Sequence, residues 1–176
     1  MAEKESRAGN IYLEIARRAL ESRVKGEDFS LPRDLPGELQ QPGAAFVTLK
    51  KQGDLRGCIG TVSPTKKSLA EEIAANAISA GLKDPRFSPV SPGEMKMLSY
   101  SVDVLTTPEK VESLAELDPR HYGVIVRCGR RTGLLLPALE GIDTVEEQLS
   151  IARQKAGIRP DETAVEIFRF TVQRYI

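Results

Sequence analysis

Ala44-Ala45-Phe46-Val47-Thr48-Leu49-Lys50, Gln52-Gly53-Asp54 and Leu55-Arg56-Gly57-Cys58-Ile59-Gly60-Thr61-Val62 form the stretch that decides the fold. Two short runs rich in apolar and β-branched residues flank a glycine-containing turn, the pattern of a β-hairpin. After Pro64, Ser68 and Glu71 make an S-x-x-E capping pattern, in which a hydroxyl and a carboxylate satisfy the unpaired amides of a helix start. Leu69, Ile73, Ala77 and Ala80 then recur at helical spacing, with Gly81 as the stop.

The same order returns downstream. Val124-Ile125-Val126-Arg127 and Gly133-Leu134-Leu135-Leu136 flank a turn at residues 128–131. Thr144 and Glu147 repeat the capping pattern, Val145, Leu149, Ala152 and Ala156 repeat the stripe, and Gly157 repeats the stop. Gly53 and Gly129, Gly57 and Gly133, Ser68 and Thr144, and Gly81 and Gly157 are each 76 residues apart. An alternating strand closes each unit: Leu98, Tyr100, Val102 and Val104 in the first, Phe168, Phe170 and Val172 in the second. A tight hairpin turn permits only antiparallel pairing. The expected class is α+β: two β-β-α-β repeats forming two packed subdomains with mostly antiparallel sheets. Ile11, Ile15, Ala16, Ala19, Leu20 and Val24 add an amphipathic N-terminal helix over approximately 10–25. The repeats cover approximately 44–106 and 120–176 of a single domain, 1–176, and the Pro- and Gly-rich stretch 31–43 reads as a loop.

Composition removes several functions. Twenty-five basic and 25 acidic residues cancel, which argues against a dedicated nucleic-acid binder. Met1–Asn10 lacks the apolar core of a secretory signal, and no apolar run approaches the ~20 residues that span a bilayer. A cytoplasmic protein with no membrane contact is expected. Cys58 and Cys128 read as reduced thiols, and with His121 as the single histidine their spacing fits no zinc pattern. No metal and no cofactor are expected.

The differences between the repeats are where function is sought. The first hairpin carries Arg56-Gly57-Cys58-Ile59-Gly60 where the second has Thr132-Gly133-Leu134-Leu135-Leu136. The first repeat also has a long loop, Lys83-Asp84-Pro85-Arg86-Phe87-Ser88-Pro89-Val90, after its helix. Strand alternation puts Arg56 and Cys58 on one face. A guanidinium there would favour the thiolate, and Gly57 and Gly60 would leave backbone N–H groups bare for a ligand. Against this stands a plain packing role, since free cysteine is among the most buried residue types.

The hexapeptide Leu55–Gly60, Asp84-Pro85-Arg86-Phe87 with Pro89-Val90, Tyr122–Val126, Gly133–Pro137 and Val145–Ala152 together resemble the AMMECR-type domain family over nearly the whole chain. The likeness is to its prokaryotic AmmeMemoRadiSam form, whose name implies genetic association with a Memo-type protein and a radical-SAM protein. The resemblance implies an intracellular two-subdomain α+β protein whose prime site candidates are the hexapeptide and the Asp-Pro-Arg-Phe loop. It assigns no activity.

Three functions remain open on the residues. One is a binding module in which Arg56, Gly57, Cys58, Gly60, Asp84, Arg86 and Phe87 hold a small ligand or partner peptide. A second is an enzyme with Cys58 as nucleophile or redox thiol activated by Arg56; His121 as its base is a weaker variant. The third is a nucleic-acid accessory protein acting through Arg127, Arg130 and Arg131. The absence of a visible base for Cys58 favours the first.

Overall fold

The computed structural model describes residues 2–176, with side chains described from residue 11 onward. The chain divides into two compact units, one comprising the chain through Val104 together with Arg174–Ile176, the other Leu105–Gln173.

In the first unit α1 (Ala2–Lys25) precedes a one-turn helix α2 (Gly37–Gln40), the hairpin β1 (Ala44–Lys51) and β2 (Asp54–Gly60), α3 (Leu69–Leu82), a 3₁₀ turn at Pro92–Met97, and β3 (Leu98–Leu105). The proline-rich loop thus contains one helical turn, which buries Leu39. Tyr12, Ile15, Ala16, Ala19 and Leu20 of α1 pack with Leu69, Ile73, Ala77 and Ala80 of α3 over Ala45, Val47, Leu49 and Val102 of the sheet. The apolar stripes read from sequence are therefore the core-facing ones. Because side chains alternate along a strand, Thr48 and Asp103 lie on the sheet face turned away from the helices.

The helix starts differ in one detail. The Ser68 hydroxyl accepts from the Glu71 amide, but the Glu71 carboxylate takes the Lys67 amide, so the box at α3 is incomplete. At α4 (Val145–Ala156) Thr144 and Glu147 satisfy each other's backbone amides reciprocally. Gly157 adopts the left-handed conformation that ends α4, with φ 65°. Gly81, expected to stop α3, instead lies inside it. An added Cβ there would sit 2.5 Å from Leu20 Cδ1, so this glycine allows α1 to approach.

The second unit contains β4 (Glu109–Lys110), β5 (Gly123–Cys128), β6 (Arg131–Leu135), α4, and β7 (Glu166–Phe170). Its core gathers Val124, Val126, Leu135, Ala152 and Ile158. The β5–β6 and β5–β7 pairs are antiparallel, as the hairpin argument requires.

The two sheets run β2-β1-β3-β8 and β4-β7-β5-β6, with β8 at Val172–Tyr175. The strand expected to continue through Val172 in fact stops at Phe170. Thr171 and Thr106 bond each other reciprocally through backbone and hydroxyl groups, and Val172–Tyr175 joins the first sheet. A continuous alternating pattern does not say which sheet its halves enter. Tyr175 of β8 stacks on Tyr12 of α1 with ring centroids 3.9 Å apart.

Pairing also corrects the register between the hairpins. Lys51 faces Asp54 across the first turn and Cys128 faces Arg131 across the second, so the turns are 77 residues apart and Gln52, not Gly53, corresponds to Gly129. Gln52 and Gly129 both have positive φ, 54° and 59°. Beyond a bulge between Leu49 and Lys50, Leu49 faces Gly57 as Val126 faces Gly133, so the spacing becomes 76 along β2 while it stays 77 along β1. Arg56 is the extra residue that the bulge absorbs.

Gly57 and Gly133 are the tightest helix contacts of the hairpins. A Cβ on Gly57 would lie 2.1 Å from the Ala80 carbonyl oxygen, and one on Gly133 2.0 Å from that of Ala152. Backbone cannot swing aside as a side chain can. Gly57→Ala and Gly133→Ala are each expected to cost about 1–3 kcal/mol or more, read as a lowered urea midpoint at unchanged m. Gly93→Ala, with nothing within 4 Å, is the control and should stay within about 0.5 kcal/mol.

Candidate functional site

The Cys58 end of β2 is built from a strand edge and two loops. Because β2 is the outermost strand, alternate backbone groups point away from β1. Cys58 N–H donates to Asp84 Oδ2 at 2.9 Å, and Arg86 Nη2 lies 3.4 Å from the Cys58 carbonyl oxygen. The Asp84-Pro85-Arg86 segment thus takes both outward backbone groups of Cys58, as a neighbouring strand would, and protects the edge. Asp84 also accepts from Arg86 N at 3.1 Å, Nε at 3.0 Å and Nη2 at 2.7 Å. Its side chain is 2% exposed, that of Arg86 54%. The Arg86 bonds hold the Asp84 carboxyl far below the ordinary range, against the opposing effect of burial. Arg86 in turn lies 5.4 Å from the Phe87 ring centroid. The loop peculiar to the first repeat therefore does lie against Cys58.

Cys58 itself is half-buried. It faces Thr48 across the hairpin, and the Thr48 hydroxyl lies 3.2 Å from Sγ. Where the second hairpin has buried Leu134, the first has a half-buried cysteine.

The pairing expected between Arg56 and Cys58 is absent. Arg56 sits in the bulge, and its guanidinium binds Glu94 in a fork, Nε to Oε1 at 3.0 Å and Nη2 to Oε2 at 3.1 Å. Lys51 Nζ adds a bond to the same carboxylate at 3.0 Å, and Ser91 N and Oγ bind its other oxygen. Arg56, these donors and Lys51 hold Glu94 well below the usual carboxylate range. Strand alternation fails here because the bulge interrupts it. Arg56 is committed to anchoring the 3₁₀ turn, although its Nη1 is buried without an acceptor among the described residues.

Nor do the glycines leave backbone bare for a ligand. The Gly57 face is filled by α3, and a Cβ on Gly60 would fall 2.1 Å from Phe46 Cγ, inside its ring contact. Both glycines are explained by close packing of protein on protein.

Three features escaped the sequence reading. Glu72 is 1% exposed and accepts from Thr61 Oγ1, Thr65 N and Oγ1, and Lys66 N at 2.7–2.9 Å. Burial alone would raise its pKa, but these four bonds outweigh it and lower it. The S-x-x-E pattern drew attention to Glu71 and away from its neighbour. Asp103 on β3 clamps Arg174 of β8, Nε to Oδ1 at 2.7 Å and Nη2 to Oδ2 at 2.9 Å. The third feature is at Cys128, where Arg131 Nη2 lies 3.5 Å and Glu162 Oε2 3.7 Å from Sγ. It is Cys128, not Cys58, whose sulfur touches a guanidinium.

The remaining candidates are tied up locally. His121 Nδ1 pairs with Asp118 at 2.7 Å within the second unit. Arg127 binds Glu166 and lies over the Phe168 ring, and Arg131 binds Glu162. Two of the three cations considered for nucleic acid are thereby neutralised. Among the described residues no group of three or more His, Cys, Asp and Glu side chains could hold a metal ion, and no helix is long and apolar enough to cross a membrane.

Residues 13–175 match the AMMECR1 family model. The chain belongs to the AMMECR1 family. It is 53% identical over 167 residues to a protein of Thermotoga maritima, covering 93% of this chain and 96% of that one. A longer protein of Clostridium acetobutylicum is 56% identical over 130 residues, 74% of this chain but 27% of that protein. The crystal structure of an uncharacterized protein from Pyrococcus horikoshii superposes with a TM-score of 0.86 at 35% identity, covering 96% of this chain and 90% of that one.

The Asp84 network predicts acid sensitivity. Because Asp84 and Glu94 titrate below their unfolded values when folded, the unfolded chain takes up protons first as pH falls. The stability they contribute is present above about pH 4 and is lost below it. Asp84→Asn should cost about 1–3 kcal/mol at pH 7, and this difference should shrink towards pH 3 in paired urea titrations.

Proposed function

We propose that this AMMECR1-family chain is a binding protein that holds a small ligand or a partner's peptide segment beside Cys58. The observation that carries this is the half-buried Cys58 residue, flanked by an arginine that a buried aspartate fixes in place. A packing residue has no need of such support, since the equivalent position in the other hairpin is a buried leucine. A binding role is favoured over a nucleophilic one because the Arg56 guanidinium is engaged with Glu94, and among the described residues no base or cation hydrogen-bonds the Cys58 sulfur, which meets the Thr48 hydroxyl.

The resemblance to the AmmeMemoRadiSam form supports a step in a cytoplasmic pathway shared with Memo-type and radical-SAM proteins. The common β-β-α-β order and the matching sheet sequences support an origin by internal duplication, with 1–176 acting as one domain. On this reading the Cys58 side of the first unit diverged to bind while the second kept an apolar core position.

The test is alkylation of the native protein by neutral iodoacetamide, with both thiols followed by mass spectrometry. Cys58 is expected to label without unfolding, and Asp84→Asn, which loosens the loop over its backbone, should speed that labelling. If Cys58 labels only once urea has unfolded the chain, it is a packing residue and the binding site lies elsewhere. Cys128 is not a neutral reference, because Arg131 touches it, so the proper comparison is Cys58 in the unfolded chain.

A further inference from the structure

Arg86 holds two unused donors at the edge of β2. A guanidinium carries five N–H bonds in one fixed plane. In Arg86, Nε donates to Asp84 Oδ1 at 3.0 Å, while Nη2 donates to Asp84 Oδ2 at 2.7 Å and lies 3.4 Å from the Cys58 carbonyl oxygen. Both N–H bonds of Nη1 are left without an acceptor among the described residues, on a side chain that is 54% exposed. With Nη2 only 3.4 Å from that carbonyl oxygen, the covalent geometry of one residue keeps Cys58 Sγ within about 8 Å of it.

A comparison inside the chain separates this pair from an ordinary surface one. Arg159 also binds an aspartate two residues away, Asp161, but both side chains are 74% exposed and a single Nε bond joins them. Such a pair contributes little and holds neither partner still. Asp84 is 2% exposed and accepts three bonds from Arg86 and one from the Cys58 amide. It cannot follow Arg86 into water, so the guanidinium is held at two nitrogens against a fixed carboxylate. Protection of the strand edge accounts for Nε and Nη2 and makes no use of Nη1. A guanidinium ordered in this way has little freedom left to lose when a ligand binds it.

We propose that Arg86 is the anion contact of the site beside Cys58: its Nη1 arm takes a carboxylate or phosphate oxygen of the ligand, and Asp84 is the residue that positions it. The inference rests on the binding reading above and supplies the ligand's chemical class. The Asp84–Arg86 pair is neutral as a whole, so recognition comes from fixed N–H donors matched to carboxylate or phosphate oxygens more than from bulk charge.

The full-length protein is titrated with inorganic phosphate and, separately, with acetate at constant ionic strength, while NMR follows the Arg86 Nε–H and the Cys58 backbone N–H. Saturating shifts are expected at both, and the ion that binds more tightly names the ligand group. Arg86→Lys keeps the charge but loses the fork, and should weaken the binding read at the Cys58 amide by about tenfold, the scale of one charge-assisted hydrogen bond. If that variant fails to fold, Arg86→Gln with Asp84→Asn, which removes both charges, replaces it. The Arg159 Nε–H is the internal reference and should shift only in proportion to ion concentration. Linear shifts of the same size at Arg86 and Arg159 mean an adventitious ion only and overturn the proposal, as does no shift at Arg86. Saturation at the Cys58 amide that persists unweakened in the variant overturns the part given to Arg86. Iodoacetamide labelling of native Cys58 reads the binding proposal separately. Labelling without anion saturation overturns the anion contact alone, and saturation without labelling overturns the binding reading at Cys58 and this contact's place in it.

Discussion

The close approach of a hairpin strand to a helix backbone is the constraint on which both units depend. At Gly57 and Gly133 no side chain fits, because a helix carbonyl occupies the space a Cβ would take. Contact this close fixes the depth at which α3 and α4 sit on their sheets, and so brings Ile73 and Ala152 into full burial. The residue after each glycine must then point to the other face. In the second unit that residue is Leu134; in the first it is Cys58. The thiol's position is thus a consequence of the packing glycine before it.

Two buried carboxylates, Glu72 and Asp84, and the half-buried Glu94 organise the loops of the first unit where apolar contacts cannot. Glu72 gathers the amides and hydroxyls of residues 61–66, Glu94 gathers Arg56, Lys51 and Ser91, and Asp84 gathers Cys58 and Arg86. Each accepts enough charge-assisted or backbone bonds to offset its burial and stay ionised. In the second unit the position 76 residues after Glu72 is Gln148, which is also buried but donates to the Tyr122 carbonyl. A neutral amide suffices there because no cluster of donors converges on it. The greater charge of the first unit's interior therefore accompanies its longer loops, and those loops surround Cys58.

The Arg56 bulge shows how one residue changes a site. Without the insertion the two hairpins would share one register, and alternation would set residue 56 beside Cys58. The bulge turns the side chain to Glu94 instead and ties the hairpin to the turn preceding β3. Two side chains that are near neighbours in the hexapeptide, Arg56 and Cys58, belong to separate networks. What neighbours Cys58 in space are Asp84, Arg86 and Thr48, none of them adjacent to it in sequence.

The sequence by itself determined the local structure. Helical stripes, capping residues and turn glycines act within a few residues of one another, so both β-β-α-β orders, the core faces of α1, α3 and α4, and the weight on Cys58 and the Asp84–Phe87 loop were legible in it. The sole signal of the bulge was an offset of 77 in the first strand and the turn against 76 from Gly57 onward, which low identity between the units obscures. Tertiary structure alone decided which long-range partners each polar group found. A strand's alternation reveals which side is apolar but not which sheet it enters, and Val172–Tyr175 joined the first sheet instead of continuing the second. That choice carried Arg174 to Asp103, and no periodicity could have announced it. Hydrogen bonds between residues 71 apart depend on the whole chain's path, whereas a helix or a hairpin depends on its neighbours.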